Sequence, residues 1–229
     1  MSASIPDQPG RGSLDPRDLS RDVFAPSERD RIVQAMAATC AERGYAETTV
    51  EEVISRAGVS RAAFDQQFQG TEDCGLAAVT QILAEATAAA SAAWSPDASE
   101  WESILRGVKA LLELMAARPS FAHLAYIQSR QAMPPSSHVP YASGVKVVAS
   151  MIDRLRGYAP EGRPLPPTTA RAVVGSAEML IRRALLAGEP ERLPQLLPDI
   201  IYGVLVPYLG QEEALRYAEL ARAELRTDR

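Results

Sequence analysis

After an opening stretch with no hydrophobic period, apolar residues recur every three to four positions, and this spacing predicts one helix after another. Ile32, Val33, Met36, Ala37 and Cys40 share one face of a first helix. Ser27 stands ahead of it as an N-cap, Glu28 and Asp30 fall in its first turn, and Gly44 sits where a glycine ends a helix. Thr49 caps a short second helix with Val50, Val53, Ile54 and Ala57 inward. Gly58 then permits a sharp turn, because positive φ costs glycine little. Ser60 caps a third helix whose inward residues are Phe64 and Phe68. Gly70-Thr71 separates it from a fourth, alanine-rich helix running from about Glu72 to Trp94.

Beyond "SPDAS" (95–99) the pattern continues. Trp101, Ile104, Leu105, Val108, Leu111, Leu112 and Met115 mark a fifth helix, Phe121 to Gln131 a shorter one, and Val147, Val148, Met151, Ile152 and Leu155 another. "MPPSSHVP" (133–140) and "YAPEGRPLPP" (158–167) read as loops. Two strongly apolar stripes follow, one from Val173 to Leu185 and one from Leu193 to Tyr208, and a polar helix begins after Gly210. No period-two segment or hairpin turn competes, so the predicted fold class is all-α. Residues 1–26, rich in Pro, Gly, Ser and Asp, read as a disordered arm.

Composition leaves this picture standing and adds one tension. With 46% hydrophobic residues the chain can bury a real core. No apolar run is expected to cross a bilayer and the N-terminus lacks an apolar signal segment, which points to the cytoplasm and away from membranes. Two cysteines and two histidines provide neither a disulfide scaffold nor a metal-ligand spacing. No "GxSxG", Walker loop or "HExxH" is present, so neither a cofactor nor an enzymatic role has residues to rest on. The net charge is −5 and lies entirely in residues 1–75, which hold eight arginines, no lysine and thirteen acidic side chains. That balance opposes binding to phosphate.

Yet a cluster of Val50, Val53, Ala57, Val59, Phe64 and Phe68 around Gly58 suits a helix-turn-helix, whose second helix enters a major groove. The longer stretch "RDRIVQAMAATCAERGYAETTVEEVISRAGVSRAAFDQQF" resembles the N-terminal domain of the TetR family of bacterial transcriptional regulators, over about residues 28–76. The resemblance rests on Arg31-Ile32, Ala41 to Tyr45, Thr48 to Val50, Ala57 to Ser60, and Phe64 with Phe68. It implies a three-helix DNA-binding domain at 27–75 and a larger helical effector-binding and dimerisation domain at 76–229. It further implies a homodimer that binds a quasi-palindromic double-stranded operator, about one helical turn between half-sites, and that a small apolar effector releases. A repressor is the expected role. A helical small-molecule-binding dimer with weak or lost DNA binding is the alternative.

By position, the resemblance assigns Thr48 and Thr49 to phosphates, Ser60, Arg61, Ala62 and Gln66 to base edges or backbone, and Gln67 and Thr71 to flanking phosphates. The residue types suit this: Arg pairs with guanine O6/N7 and Gln with adenine N6/N7. The family commonly has Tyr, then Tyr or Glu, then His where this chain has Asp65, Gln66 and Gln67, and often Lys at Thr71. Such departures remove phosphate contacts while leaving base readout in place. Asp65 has three possible placements: toward helix 1 to meet Arg43 or Arg56, facing phosphate, or accepting from a cytosine amino group. Arg11, Arg17 and Arg21 of the arm are candidates for a minor groove or are simply solvated among their neighbouring aspartates.

Outside the head, Trp101, Met115, Phe121, Tyr126 and Met151 are candidate walls of an effector cavity, along with Met179 and Tyr208. His123, Gln128, Glu178 and Arg182 are its polar candidates. Each of these positions also suits ordinary core packing. Cys40 reads as a core side chain, and Cys74, at a helix start, is placed for a lowered thiol pKa. The stripes at about 170–187 and 190–208 are read as an intersubunit four-helix bundle, with burial inside one subunit as the other possibility.

Overall fold

The computed structural model describes residues 26–93, 98–134, 138–159 and 164–227, and only the helical backbone at 138–141. The arm expected at 1–26, with Arg11, Arg17 and Arg21, therefore lies outside the described residues except for Pro26, and so does Trp94. Every regular element described is helical.

Three short-range devices build the N-terminal head. Helix α1 (Glu28–Arg43) opens with a capping box: Ser27 Oγ accepts from the Asp30 amide, and the Asp30 carboxylate accepts from the Ser27 amide. It ends at Gly44, whose φ is 88°. Helix α2 (Val50–Ala57) repeats the box with Thr49 and Glu52 and ends at Gly58, which is left-handed (φ 64°, ψ 42°) and swings the chain into α3 (Arg61–Gln67). Ser60 caps α3 by accepting from the Ala63 amide at 3.1 Å. Val53, Ala57, Phe64 and Phe68 are buried at the α2–α3 junction, and the two rings lie 5.6 Å apart.

Helix α4 (Thr71–Ala92) carries the chain from head to body. It packs on α1 so closely at Gly75 that an added Cβ would come within 2.9 Å of Met133 Cε and 3.2 Å of Met36 Cε. Contrary to the sequence expectation, α4 is long and apolar enough by length and mean hydropathy (1.2) to span a bilayer. Its alanines account for this. In the fold it packs against α1, α5 and α7, with 33% of that apolar window buried.

The body continues with α5 (Glu100–Ala117), capped by Ser99 and Glu102. A helical run over 119–131, here α6, follows: Pro119–His123, a π-helical turn Leu124–Gln128, and Ser129–Gln131. Helix α7 (His138–Asp153) passes into a 3-10 turn, Arg154–Tyr158. Its first residues were expected to be loop. Pro140 falls in the first turn, where its missing N–H costs no intrahelical bond. Helix α8 (Thr169–Leu186), a 3-10 turn (Pro190–Leu196), α9 (Leu197–Leu209) and α10 (Gln211–Thr227) complete the chain.

The stripe from Leu193 to Tyr208 corrects one expectation. Leu193, Leu197, Ile201, Leu205 and Tyr208 are fully buried inside this one chain, against α5, α8 and α10. The same holds for Val173, Val174, Ile181 and Leu185 of α8. The greater part of both stripes is therefore core, with Ala177, Leu180, Ala184 and Leu196 half-buried. What α8 leaves outward is a different row, including Ala172, Gly175, Met179 and Leu186.

Candidate nucleic-acid interface and effector cleft

With Phe64 and Phe68 turned inward, Arg61, Ala62, Asp65 and Gln66 form one exposed strip along α3. Helical periodicity puts residues i, i+1, i+4 and i+5 on that side. Arg29 braces the end of the helix: its guanidinium lies 4.4 Å from the Phe68 ring centroid, and its Nη1 donates to the Gln67 carbonyl at 3.3 Å. Gln67 is exposed beside it.

Asp65 does not turn toward α1. Its two carboxylate oxygens accept from Arg61 Nε at 2.9 and 3.1 Å, and Arg61 Nη1 donates to Glu51 Oε1 at 2.9 Å. The two arginines considered as its partners hold other carboxylates. Arg56 donates to Glu42 (Nη1–Oε1 2.8 Å), and Arg43 pairs with Glu52. The reason is local: four residues along a helix bring Asp65 under Arg61, whereas the inward direction is occupied by Phe64. The bond from Arg56 holds the Glu42 carboxyl below its ordinary range. Arg31 pairs with Glu28 at 3.8 Å, so every arginine from 27 to 75 is engaged within the head.

The phosphate candidates are also partly committed. Thr48 is buried, and its Oγ1 donates to the Gly44 carbonyl at 2.9 Å, so it ties the α1–α2 turn together and does not face outward. Thr49 is exposed, but its amide and hydroxyl both donate to Glu52 Oε2 at 3.1 Å. Ser60 is exposed and uses its oxygen as an acceptor, which leaves its hydroxyl proton to donate. Thr71 is half-buried and hydrogen-bonded to the Tyr45 side chain.

In the body, a cleft of about 120 Å³ opens between α4, α5, α6, α7, α8 and α9. Leu83 and Ala86 of α4, Leu111 of α5, Val148 and Met151 of α7, and Ile181 of α8 form its apolar walls. Its polar lining residues are Thr87, Tyr126 and Glu178. Burial, and then the nearby Glu178 charge, pushes the Tyr126 hydroxyl pKa up, so it stays a protonated donor. A second cleft shares Tyr126 and Glu178 and adds Arg130, Gly175, Met179 and Arg182. Arg130 and Glu178 lie 3.7 Å apart, and half-buried Arg182 has no ion pair or hydrogen bond among the described residues.

Of the eleven cavity candidates, Tyr126, Met151 and Glu178 line this cleft, Met179 and Arg182 line the second, and the other six line neither. Trp101 meets Tyr158 edge to face and Tyr217 at a tilt, 5.1 and 6.0 Å between centroids. Met115 is core. Phe121 lies under Arg118, 4.2 Å from guanidinium to ring centroid. His123 is half-buried away from the cleft. The walls missed were those of α4, α5 and α9, and on α7 every lining residue but Met151. Val147 and Val148 of α7 keep helical spacing in the sequence, and the structure leaves them 46% and 39% exposed at the cleft. Cys74 is likewise corrected: burial pushes its thiol up to about 12, outweighing any lowering by the helix start.

The π-helical turn joins the two regions. Tyr126 reaches the cleft, and two residues later Gln128 Oε1 accepts from the Tyr45 amide at 3.0 Å, just after α1. Gln128, expected from the sequence as a polar group of the cavity, instead holds the head. π-turns insert one residue into a helix and re-aim its side chains, which is why they occur often at functional sites.

Residues 32–78 match the family model described as bacterial regulatory proteins, tetR family. No curated protein matches the chain. Among solved structures, the fatty acid degradation regulator FadR from Bacillus halodurans is similar at TM-score 0.69 and 14% identity, over 82% of this chain and 98% of that one. TylP, a tetR regulator from Streptomyces fradiae, gives 0.65 and 18% over 86% and 96%. FadR from Bacillus subtilis, solved with stearoyl-CoA, gives 0.65 and 16% over 79% and 97%. The head thus matches the TetR family by sequence, and the chain shares the fold of TetR-family regulators through most of its length.

Proposed function

We propose that this TetR-like chain is a ligand-responsive transcriptional regulator, a repressor that binds a quasi-palindromic operator as a homodimer in the cytoplasm and lets go when an effector fills the body cleft. Residues 27–75 are the reading head and 76–229 the effector-binding and dimerisation unit. The observation that carries the reading is the π-helical turn Leu124–Gln128, which touches the cleft through Tyr126 and the head through Gln128. A ligand that displaces Tyr126 would move the residue that holds Tyr45, and with it α1 and the reading strip.

The effector class follows from the lining. Apolar walls suit an alkyl or aromatic body, and the adjoining Arg130 and Arg182 suit an acidic head. The Bacillus subtilis neighbour with stearoyl-CoA, an acyl chain on a phosphorylated carrier, supports this class. For the homodimer, the outward row Ala172, Gly175, Met179 and Leu186 on α8 is a self-complementary candidate, with the outer side of α9. Gly175 and Gly203 have open space where a side chain would stand. Ser60, Arg61, Ala62, Gln66 and Gln67 form the DNA-facing set, with Thr49 and Thr71 at its edges.

Selection from a random-sequence pool of double-stranded DNA, with excess nonspecific competitor, tests this reading. Enrichment of two inverted half-sites, lost in Arg61→Ala and Gln66→Ala, is the expected result. The engaged arginines and acidic head favour a second reading, a ligand-binding dimer with a silent head. Failure to enrich any sequence, even at low salt, would establish that one instead.

A further inference from the structure

We infer that Asp65 sets the base specificity of the reading strip by buttressing Arg61, an inference that rests on the DNA-binding role proposed above. Arg61 and Asp65 lie on the same exposed side of α3, and both carboxylate oxygens sit on the single Nε–H, at 2.9 and 3.1 Å. A guanidinium has several hydrogen-bonding edges. Holding it at Nε fixes the plane of the group and leaves the terminal fork of Nη1 and Nη2, whose spacing matches guanine O6 and N7.

Glu51 stands in the way only weakly. It belongs to α2, takes one Nη1 hydrogen, and has a side chain that is 71% exposed. Guanine offers two acceptors in place of its one, and the displaced carboxylate returns to water. Asp65, by contrast, travels with Arg61 on the same helix. The pair enters the groove as a neutral unit, which explains how a carboxylate occupies the middle of a face that must approach phosphates.

Without the buttress, Arg61 would be free to swing to a phosphate, which adds affinity and carries no sequence information. Asp65 therefore trades nonspecific affinity for discrimination. Removing it should move the two quantities in opposite directions, a signature that a merely structural role would not give.

The test uses the full chain and duplexes from the pool selected by the wild-type protein, with every base pair of one half-site varied in turn. Wild type should prefer G·C over A·T at one position by about tenfold. Asp65→Asn should cut that preference to about threefold or less, while binding to scrambled DNA tightens. Combining Asp65→Asn with Arg61→Ala should cost nothing further at that pair beyond Arg61→Ala alone. An unchanged preference in Asp65→Asn would overturn the inference. So would a loss at a different base pair, or one additive with Arg61→Ala, because Asp65 would then be reading a base itself. If the wild type enriches no sequence, the DNA-binding reading falls and this inference with it. If it enriches a site whose profile ignores Asp65, only the inference falls.

Discussion

His123 is half-buried on α6, and its Nδ1 has no hydrogen-bond partner among the described residues; burial pushes its pKa below the ordinary value. The unfolded chain therefore takes up this proton at about pH 6.5, before the folded chain does. Stability from this site is full above about pH 6.5 and is lost as pH falls through the lower folded value. His123→Leu should narrow the difference in Tm between about pH 7.5 and about pH 5; an unchanged difference would mean that the histidine titrates freely. Cys74 behaves as the thiol counterpart. With its pKa pushed up to about 12, it should resist alkylation in the native protein at mildly basic pH and react only on unfolding, as followed by mass spectrometry. Asp65 shows where residue-level reading stops: the type and position were plain in the sequence, but its partner depended on which arginines α1 and α2 had already taken.

Elements were most legible where their signals were local. Ser27, Thr49, Ser60 and Gly58 fixed three helix starts and the sharp turn, because capping and positive φ involve only adjacent residues. The cleft was less legible, since its walls come from six helices spread from Leu83 to Val204. Trp101 and Phe121 keep helical spacing equally well, yet packing turns Trp101 toward Tyr158 and Phe121 toward Arg118. The π-turn was not legible either, because no residue of "LAYIQ" announces an inserted position. Its role leads to a prediction at this scale. Gln128→Ala removes the acceptor of the Tyr45 amide and should leave effector binding within about threefold of wild type while weakening its ability to release DNA by about tenfold. Paired calorimetry on effector and anisotropy on DNA would check this; equal loss of both would place Gln128 in folding alone.

At the scale of the whole molecule, the burial within the stripes of α8 and α9 places the proposed dimer contact on their outer sides. Met179 and Leu186 are 64% and 58% exposed, large apolar residues in one row. Met179→Glu combined with Leu186→Glu should convert a dimer to a monomer in light scattering at micromolar concentration, with the helical circular dichroism retained. A persisting dimer would put the interface elsewhere. The head is a different matter, because its arginines are already paired and its charge is negative. If the proposed DNA binding holds, specific contacts should carry more of the affinity than phosphates do.

The most direct measurement is a salt titration of binding to the selected duplex, with a scrambled duplex of equal length alongside. A protein neutralising six phosphates shows a slope of log K against log salt of about −5. A shallower slope is expected on the selected duplex, with a preference over the scrambled one that survives as salt rises. A steep slope with no preference at any salt would contradict it, since binding would then be phosphate attraction without reading.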